Sequence, residues 1–315
     1  MGFDLRVFVV AFSSFAMGSL AGSVFVPWLW QRVRGGTPAA RATALLRIRA
    51  LPFALATGSL VLAVLSFLVF EPRRQDERMG VVLLSMAALG ILLFSAAAFR
   101  LARLLVVTRR LERAWMADAG DVRLDGLNIP TYAITSSFPI VALVGFFRPR
   151  MLVARSVLAA CPEPELRAII AHELGHLIRR DNLVRAVLAL SPDVLAWLPL
   201  SHRLALAWHD AAEEAADDHA ATLGEDGRLH LAEALLRVAR LVPPGSSPVM
   251  VPASALYRGE NLDQRVRRLL GPPAVAAAPL SPAWRAVATT AIVASAALAL
   301  HAIHELLEAA VTFLP

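Results

Sequence analysis

Four long hydrophobic runs stand out from an otherwise mixed sequence. Three lie in the first third of the chain and the fourth near its C-terminal end: residues 7–30, 51–70, 79–99 and 286–304. Each is close to the length of about 20 helical residues that crosses a bilayer. The second and third runs contain no charged residue. The pattern predicts four transmembrane helices, with a long mixed segment before the last one.

Between the third and fourth runs the pattern breaks into shorter elements. Residues 140–144 and 150–153, separated by Gly145 to Pro149, predict a short β-hairpin. A helix is predicted from Pro162, with acidic residues in its first turn, to about Arg180. Two further helices are predicted, at residues 201–223 and 229–241.

These elements predict an integral membrane protein that is mainly α with a small β-hairpin or sheet. We expect residues 1–105 to hold three spans and a basic inner loop. Residues 106–270 are expected to form a folded domain, and residues 271–315 a linker and the fourth span.

Composition supports the membrane assignment. The chain of 315 residues is 57% hydrophobic and 18% charged, with a mean hydropathy of +0.59, whereas soluble domains carry about a quarter charged residues. A purely soluble globular protein is therefore excluded. The single cysteine, Cys161, excludes an internal disulfide and a cysteine-rich metal site.

The charge of +6 is distributed in a way that predicts orientation. Residues 31–50 contain five arginines and no acid, arginines outnumber acids after residue 100, and residues 71–78 are balanced. Because positive loops stay inside, we expect both termini outside the cell membrane and residues 100–285 in the cytoplasm. Topology explains the basic charge, so a direct nucleic-acid partner is not expected.

The sequence His172-Glu173-Leu174-Gly175-His176 matches the HExxH motif on the predicted helix. Histidines one turn apart lie on one face and can bind a single Zn²⁺. Glu173, beside the first histidine, can take a proton from the attacking water and pass it to the leaving amine. The alternative is a surface helix, but the apolar flanking residues favour a buried polar cluster, which requires partners.

A third metal ligand is expected from the helix at residues 201–223. Glu213 and Asp217 lie on one face, and a ligating Glu one turn before an Asp that orients a ligand histidine is a sound arrangement. Glu214 and Asp218 offer the same spacing one position later, so the register stays open. His209, one turn before Glu213, is a weaker candidate.

Residues 183–200 are hydrophobic enough to suggest a fifth span. However, one crossing would place Glu213 on the opposite side of the membrane from His172, so that both could not bind one metal ion. The segment also contains Arg185 and Asp193. We therefore interpret it as a buried or interface-lying connector. Asn261 to Leu270, with three arginines, is interpreted as a basic helix touching anionic lipid rather than a substrate contact.

The chain resembles the membrane zinc metallopeptidases of the BlaR/MecR type. The resemblance rests on three segments: residues 139–153, residues 165–182 with HExxH, and Glu213-Glu-Ala-Ala-Asp-Asp. It implies Glu213 as third ligand and Asp217 as its companion. Ala216 stands where the family usually has a cysteine. Proteases of the HtpX type share HExxH but place spans before the third ligand, and the spacing here argues against them.

The resemblance also implies a substrate class. Such family members cleave themselves or a cytosolic transcriptional repressor, and the antibiotic-sensing members carry an extracellular penicillin-binding domain that is not expected here. The first hypothesis is a zinc endopeptidase with His172, His176 and Glu213 as ligands and Glu173 as base. The alternative is a catalytically silent membrane signalling or scaffold protein that keeps the zinc fold.

Overall fold

A computed structural model of the chain describes most of its first 243 residues and a short segment near residue 270. The described residues are 3–33, 35–70, 80–122, 124, 129–146, 148–191, 199–222, 224, 226–243 and 262–272. The predicted fourth span at residues 286–304 lies outside them.

Three long helices form the N-terminal part of the fold: α1 (Phe3–Trp30), α2 (Pro38–Phe70) and α3 (Val81–Met116). Each is long and apolar enough to cross a membrane, as predicted for the first three runs. A Cβ atom at Gly90 of α3 would lie 2.0 Å from the carbonyl oxygen of Phe12 in α1. Glycine therefore allows these two helices to pack backbone against backbone.

Two of these helices extend well beyond the predicted spans. Helix α2 already begins at Pro38, within the predicted basic inner loop at residues 31–50, and α3 continues to Met116. Alanine, leucine and arginine favour helix here, and Leu45 and Ile48 are buried. The extensions of thirteen and seventeen residues correspond to about 20 and 25 Å of helix beyond the apolar runs.

A four-stranded sheet follows α3. Its strands are β1 (Gly120–Asp121), β2 (Thr131–Ile134), β3 (Val141–Val144) and β4 (Arg150–Ala154), in the order β1-β2-β4-β3. Strands β3 and β4 are antiparallel, which confirms the predicted hairpin, whereas β2 runs parallel to β4 and was not predicted. The sheet is therefore mixed, with β3 at one end.

Six helices complete the described fold. They are α4 (Arg155–Ala160), α5 (Glu163–Ile178), α6 (Asp181–Leu190), α7 (Pro199–Ala220), α8 (Gly227–Arg240) and α9 (Leu262–Leu270). The predicted helices at the HExxH motif, at residues 201–223 and at residues 229–241 correspond to α5, α7 and α8. With ten residues, α6 is about 15 Å long, too short to span a bilayer. Residues 192–198 of the predicted connector lie outside the described residues.

Two hydrophobic clusters meet at α7. One joins the sheet to α5, α8 and α9 around side chains such as Met151, Ile169 and Leu235. The other joins the ends of α1 and α2 to α7, where Val26 and Leu45 belong to the same cluster as Trp208. Helix α7 therefore lies between the membrane helices and α5, the helix that carries HExxH.

Candidate metal centre

The HExxH residues lie on the buried side of α5. Ala168 and Ile169, which precede the motif, pack into the core with the sheet and α8, and this fixes the direction of the helix. His172 and Glu173 have no solvent exposure, and His176 is only 4% exposed. Because buried polar side chains require partners, the question is what these three groups contact.

Glu213 of α7 meets the two histidines of α5. Its carboxylate oxygens lie 3.5 Å from Nε2 of His172 and 3.4 Å from Nε2 of His176. One ligand atom from each of the three buried residues lies within 4.8 Å of the other two. Two nitrogens and one carboxylate around a common point are the donor set of many catalytic zinc sites.

Close packing of α5 against α7 makes this convergence possible. A Cβ atom at Gly175 would lie 3.0 Å from Cα of Ala216 and 3.1 Å from Cβ of His219. Glycine inside the motif and alanine opposite it therefore let the two helices approach closely. Ala216 stands where the resembling family usually has a cysteine, and here its small, fully buried side chain belongs to this contact.

Each histidine also has a carboxylate on the side away from Glu213. Oδ1 of Asp217 lies 2.9 Å from Nδ1 of His172, and Oδ2 of Asp181 lies 2.7 Å from Nδ1 of His176. Such carboxylates fix the orientation and tautomer of a ligating imidazole, with Nε2 directed at the metal. The sequence predicted Asp217 near the site but missed Asp181.

Asp181 reaches His176 because the chain turns sharply after α5. Arg180 has a φ of 54°, in the left-handed region that non-glycine residues seldom occupy. Arg180 is the last residue of the turn after α5 and directly precedes α6, whose first residue is Asp181. The acid five positions after His176 was the available signal, but the spacing alone does not reveal the turn.

Glu173 is held against the end strand of the sheet. Its Oε2 accepts a hydrogen bond from the backbone N–H of Leu143 in β3 at 3.2 Å. The side chain of Asn182 donates to the carbonyl oxygens of Leu143 and Gly145 at 3.0 and 3.3 Å. The motif helix and β3 are thus joined at the carboxylate, and sequence reasoning missed the part played by Asn182.

A buried arginine from α9 completes the cluster. Arg265 is 8% exposed. Its Nε and Nη2 donate to the two oxygens of Asp217 at 2.9 and 2.6 Å, and its Nη1 lies 3.3 Å from Oε2 of Glu213. The interpretation of this helix as a lipid-touching basic surface is wrong for Arg265, because buried carboxylates on α7 attract its guanidinium group. Of the three arginines, Arg267 is the exposed one and pairs with Asp263.

The second acidic pair on α7, Glu214 and Asp218, faces arginines of α2 and α9 rather than the two histidines. Glu214 accepts a hydrogen bond from Nη2 of Arg41 in α2 at 2.5 Å, and Asp218 pairs with Arg268 of α9. The structure therefore brings Glu213 and Asp217 to the histidines and keeps Glu214 and Asp218 away. His209 lies at the margin, with its Nδ1 3.8 Å from Oε1 of Glu213.

Known proteins resemble this chain in family and in one short segment. The family model described as BlaR1 peptidase M56 matches residues 71–269, well over half of the chain. The chain belongs to the M56 peptidase family. Two curated relatives, both protease HtpX homologues, come from Trichormus variabilis and Nostoc sp.. Each is 46% identical over 46 residues, which is 15% of this chain and 16% of the relative.

The matched segment thus covers about a sixth of these HtpX homologues. The family model and the three apolar helices together support a membrane peptidase of the M56 family, which is metal-dependent. The remaining properties of the site follow from its electrostatics.

Burial and mutual attraction shift the pKa values of the site in this M56 peptidase. Burial works to lower the pKa of His176, but Glu213 and Asp181 outweigh it and raise that pKa to about 10. Burial works against ionisation of Glu213, yet the two imidazoles and Arg265 hold its pKa well below the usual value. Burial raises the pKa of Glu173 to about 7. Glu213 is therefore held as an anion.

The same balance operates at the carboxylate behind His172. Burial opposes ionisation of Asp217, but Arg265 and the imidazole bring its pKa down to about 2. In turn, burial works to lower the pKa of His172, while Asp217 and Glu213 raise it above its usual value. An ionised carboxylate is the form that orients a ligating histidine.

The residues fit a divalent metal ion. Buried Nε2 of His172 and both oxygens of Glu213 have no hydrogen-bond partner among the described residues. When both imidazoles are neutral, as metal ligation requires, the charged groups of the site are four carboxylates and two arginines, namely Glu173, Asp181, Glu213 and Asp217 with Arg179 and Arg265. In their ionised forms these six groups carry a formal charge of −2, which a dication would neutralise.

Proposed function

We propose that this M56 peptidase is a zinc-dependent endopeptidase that cleaves a protein substrate at the cytoplasmic face of the cell membrane. The convergence of His172, His176 and Glu213 beside Glu173, all of them buried, is the observation that carries the proposal. A His₂Glu donor set is typical of catalytic zinc sites that keep one position open.

The chain's own residues supply most of the chemistry. A zinc ion held by these ligands would lower the pKa of a water molecule and polarise the scissile carbonyl group. Glu173, next to His172 in sequence and held by the N–H of Leu143, removes a proton from the attacking water and delivers it to the leaving nitrogen. Asp217 and Asp181 keep the two imidazoles in the orientation that directs Nε2 toward the ion.

Strand β3 is in direct contact with Glu173 through Leu143. It lies at the end of the sheet, but its four residues are buried, and the N–H and C=O groups of Leu143 already bond to Glu173 and Asn182. An extended peptide that adds there as a further strand would have to displace these contacts, which would bring its scissile bond beside Glu173.

Orientation and substrate identity belong to the same proposal. The basic segments between the first and second spans and after the third favour an outside N-terminus and a cytoplasmic peptidase domain, with residues 286–304 as the returning fourth span. Resemblance to the BlaR/MecR type supports two substrates, the chain itself and a cytosolic transcriptional repressor.

The proposed mechanism is tested with one conservative substitution. The full chain purified in detergent should hold one zinc per molecule, and Glu173→Gln should keep the zinc while losing cleavage. Full activity of Glu173→Gln would contradict this role of Glu173. A correctly folded wild-type protein that holds no zinc after mild purification would support the catalytically silent alternative.

A proteomic comparison identifies the substrate. Cells that express wild type are compared with cells that express Glu173→Gln at the same level. A fragment of the chain itself, or of another protein, that occurs only with wild type is the expected product. Identical peptide termini in the two samples would argue against an endopeptidase.

Orientation is tested by thiol labelling. The native Cys161 is buried, and burial raises the pKa of its thiol to about 11, so it should give little background. Intact cells treated with a membrane-impermeant maleimide should label Gln75→Cys, between the second and third runs, and not Gln31→Cys. The opposite labelling would reverse the proposed topology.

A further inference from the structure

Resting on the proposed metal site, we propose that Arg265 is a positioning residue of the metal centre. It touches neither the metal nor the substrate in this scheme. Instead, it holds Asp217 in the position that orients His172, and it compensates the charge of the ligand Glu213. Helix α9, 48 positions after Asp217 in the chain, thereby becomes a structural part of the active site.

The contact of Arg265 with Asp217 is directional. Two nitrogens of the planar guanidinium group bind the two carboxylate oxygens at 2.9 and 2.6 Å. Such a paired contact fixes both the position and the plane of the carboxylate. Oδ1 of this carboxylate is also the atom that lies 2.9 Å from Nδ1 of His172. The orientation of the imidazole is thus connected, through one carboxylate, to the guanidinium group.

The third nitrogen of Arg265 acts on the ligand itself. Nη1 lies 3.3 Å from Oε2 of Glu213, so that one cation is adjacent to two buried carboxylates. Without it, Glu213 and Asp217 would stand close together on α7 with less compensating charge. Unpaired buried charges are strongly unfavourable, so the carboxylates would shift away from the positions that suit a metal.

Helix α9 is itself held firmly. Leu269 belongs to the main hydrophobic core. Arg228 of α8 donates hydrogen bonds to the carbonyl oxygens of Arg268, Leu269 and Gly271 at 2.7 to 2.8 Å, which satisfies groups that a helix end leaves open. The backbone that carries Arg265 is therefore fixed from a second side.

Arg267 provides a matched control on the same helix. It has the same charge and lies two positions away, but its side chain is 79% exposed and pairs only with the equally exposed Asp263 among the described residues. If α9 acted merely as a basic segment, loss of either arginine would have a similar effect. A positioning role predicts an effect at Arg265 alone.

The test is a measurement of zinc affinity on the full chain in detergent. Metal-free protein is titrated with Zn²⁺ against a competing chelator for wild type, Arg265→Gln, Arg265→Lys and Arg267→Gln, and thermal unfolding of each metal-free protein is recorded. We expect Arg265→Gln to bind zinc about 10- to 100-fold more weakly, as is usual when an outer partner of a metal ligand is removed. Arg267→Gln should match wild type.

Arg265→Lys separates charge from geometry. Lysine keeps the positive charge but lacks the paired nitrogens, so we expect weakening of about tenfold, within the range for outer partners, with an unchanged unfolding temperature of the metal-free protein. If Arg265→Gln does not fold, the zinc affinity of Arg265→Lys tests the proposal instead. Wild-type affinity in the variant that does fold would overturn the proposal.

A double variant tests the route through Asp217. If Arg265 acts largely by holding Asp217, then Arg265→Gln combined with Asp217→Asn should lose less zinc affinity than the sum of the two single losses, because only the contact with Glu213 is left for Arg265→Gln to remove. Fully additive losses would overturn this route. Failure of the metal site itself gives a different result, because wild type would then take up no stoichiometric zinc and His172→Ala would change nothing.

Discussion

Two acidic pairs on helix α7 have the same composition and spacing but different surroundings. Glu213 and Asp217 face α5 and contact its two histidines. Glu214 and Asp218 are each one position later, about 100° further around the helix, and pair with Arg41 and Arg268. One step along the helix thus separates an arrangement that suits a metal from one that joins neighbouring helices.

Burial separates the two aspartates, whereas the side chains of Glu213 and Glu214 are similarly buried, at 10% and 13% exposure. The side chain of Asp217 has no exposure, whereas that of Asp218 is 40% exposed. Removing one partner of a buried ion pair costs about 3–5 kcal/mol, whereas an exposed pair contributes roughly 0–1 kcal/mol. The same substitution is therefore expected to have very different effects on the two sides of α7.

The largest difference is expected between Glu213→Gln and Glu214→Gln. The first removes the only charged ligand of the proposed metal site, so bound zinc and cleavage should both be lost. The second removes the partner of Arg41 and Arg268 and should leave the metal in place. Zinc per chain after dialysis, measured by atomic absorption, checks this. Equal zinc content in the two variants would place the third ligand elsewhere.

A smaller difference, in zinc affinity, is expected between Asp217→Asn and Asp218→Asn, one turn further along α7. Asp217→Asn should weaken zinc binding by about 10- to 100-fold, since the carboxylate behind His172 is lost. Asp218→Asn, its counterpart on the outer side, should bind zinc as wild type does. Competition titration of both proteins gives the comparison. Similar affinities would show that Asp217 does not orient the ligand.

Gly175→Ala tests the contact that holds the inner side together. The added methyl group would meet Ala216 and His219 at 3.0 to 3.1 Å, so α5 and α7 must separate by a few tenths of an ångström. Overpacking of this kind costs about 1–3 kcal/mol. The unfolding temperature should fall and zinc should bind more weakly. An unchanged unfolding temperature and zinc affinity would mean that α5 and α7 accommodate the methyl group without moving apart.

The smallest effect is expected for Arg41→Gln, at the ion pair with Glu214 on the side of α7 that faces away from the histidines. Arg41→Gln removes an ion pair in which the arginine side chain is 34% exposed. A partly exposed pair contributes about 0.2–1 kcal/mol. Thermal unfolding should therefore shift only slightly, and zinc affinity should stay that of wild type. A loss as large as that of Glu213→Gln would abolish the distinction between the two sides of α7.

Local patterns predicted much of this fold. Long apolar runs predicted the three long helices, and two short apolar runs separated by Gly145 to Pro149 predicted the β3–β4 hairpin. The motif spacing placed His172 and His176 on one helix face, and the four-residue spacing of Glu213 and Asp217 suggested a companion helix. These features depend on contacts within a single element, which sequence shows directly. The fourth span and the membrane orientation stay predictions.

Contacts between distant elements were not predictable in the same way. Asp181 reaches His176 only because Arg180 adopts a left-handed conformation, and Arg265 reaches Asp217 across 48 positions. Strand β2 pairs with β4 in parallel, and its four residues gave no signal of their own. In each case the decisive partner comes from another element, and the residue's own segment does not reveal it.

The length of α2 has a mechanical consequence. Its 33 residues form one helix from Pro38 to Phe70, with Pro52 inside it, and span about 50 Å. If the helix moves as one unit, a tilt of about 5° around its midpoint moves each end by about 2 Å. Arg41, near one end, pairs with Glu214, and Glu214 adjoins Glu213. A helix long and apolar enough to cross a bilayer therefore ends at the neighbour of a proposed metal ligand.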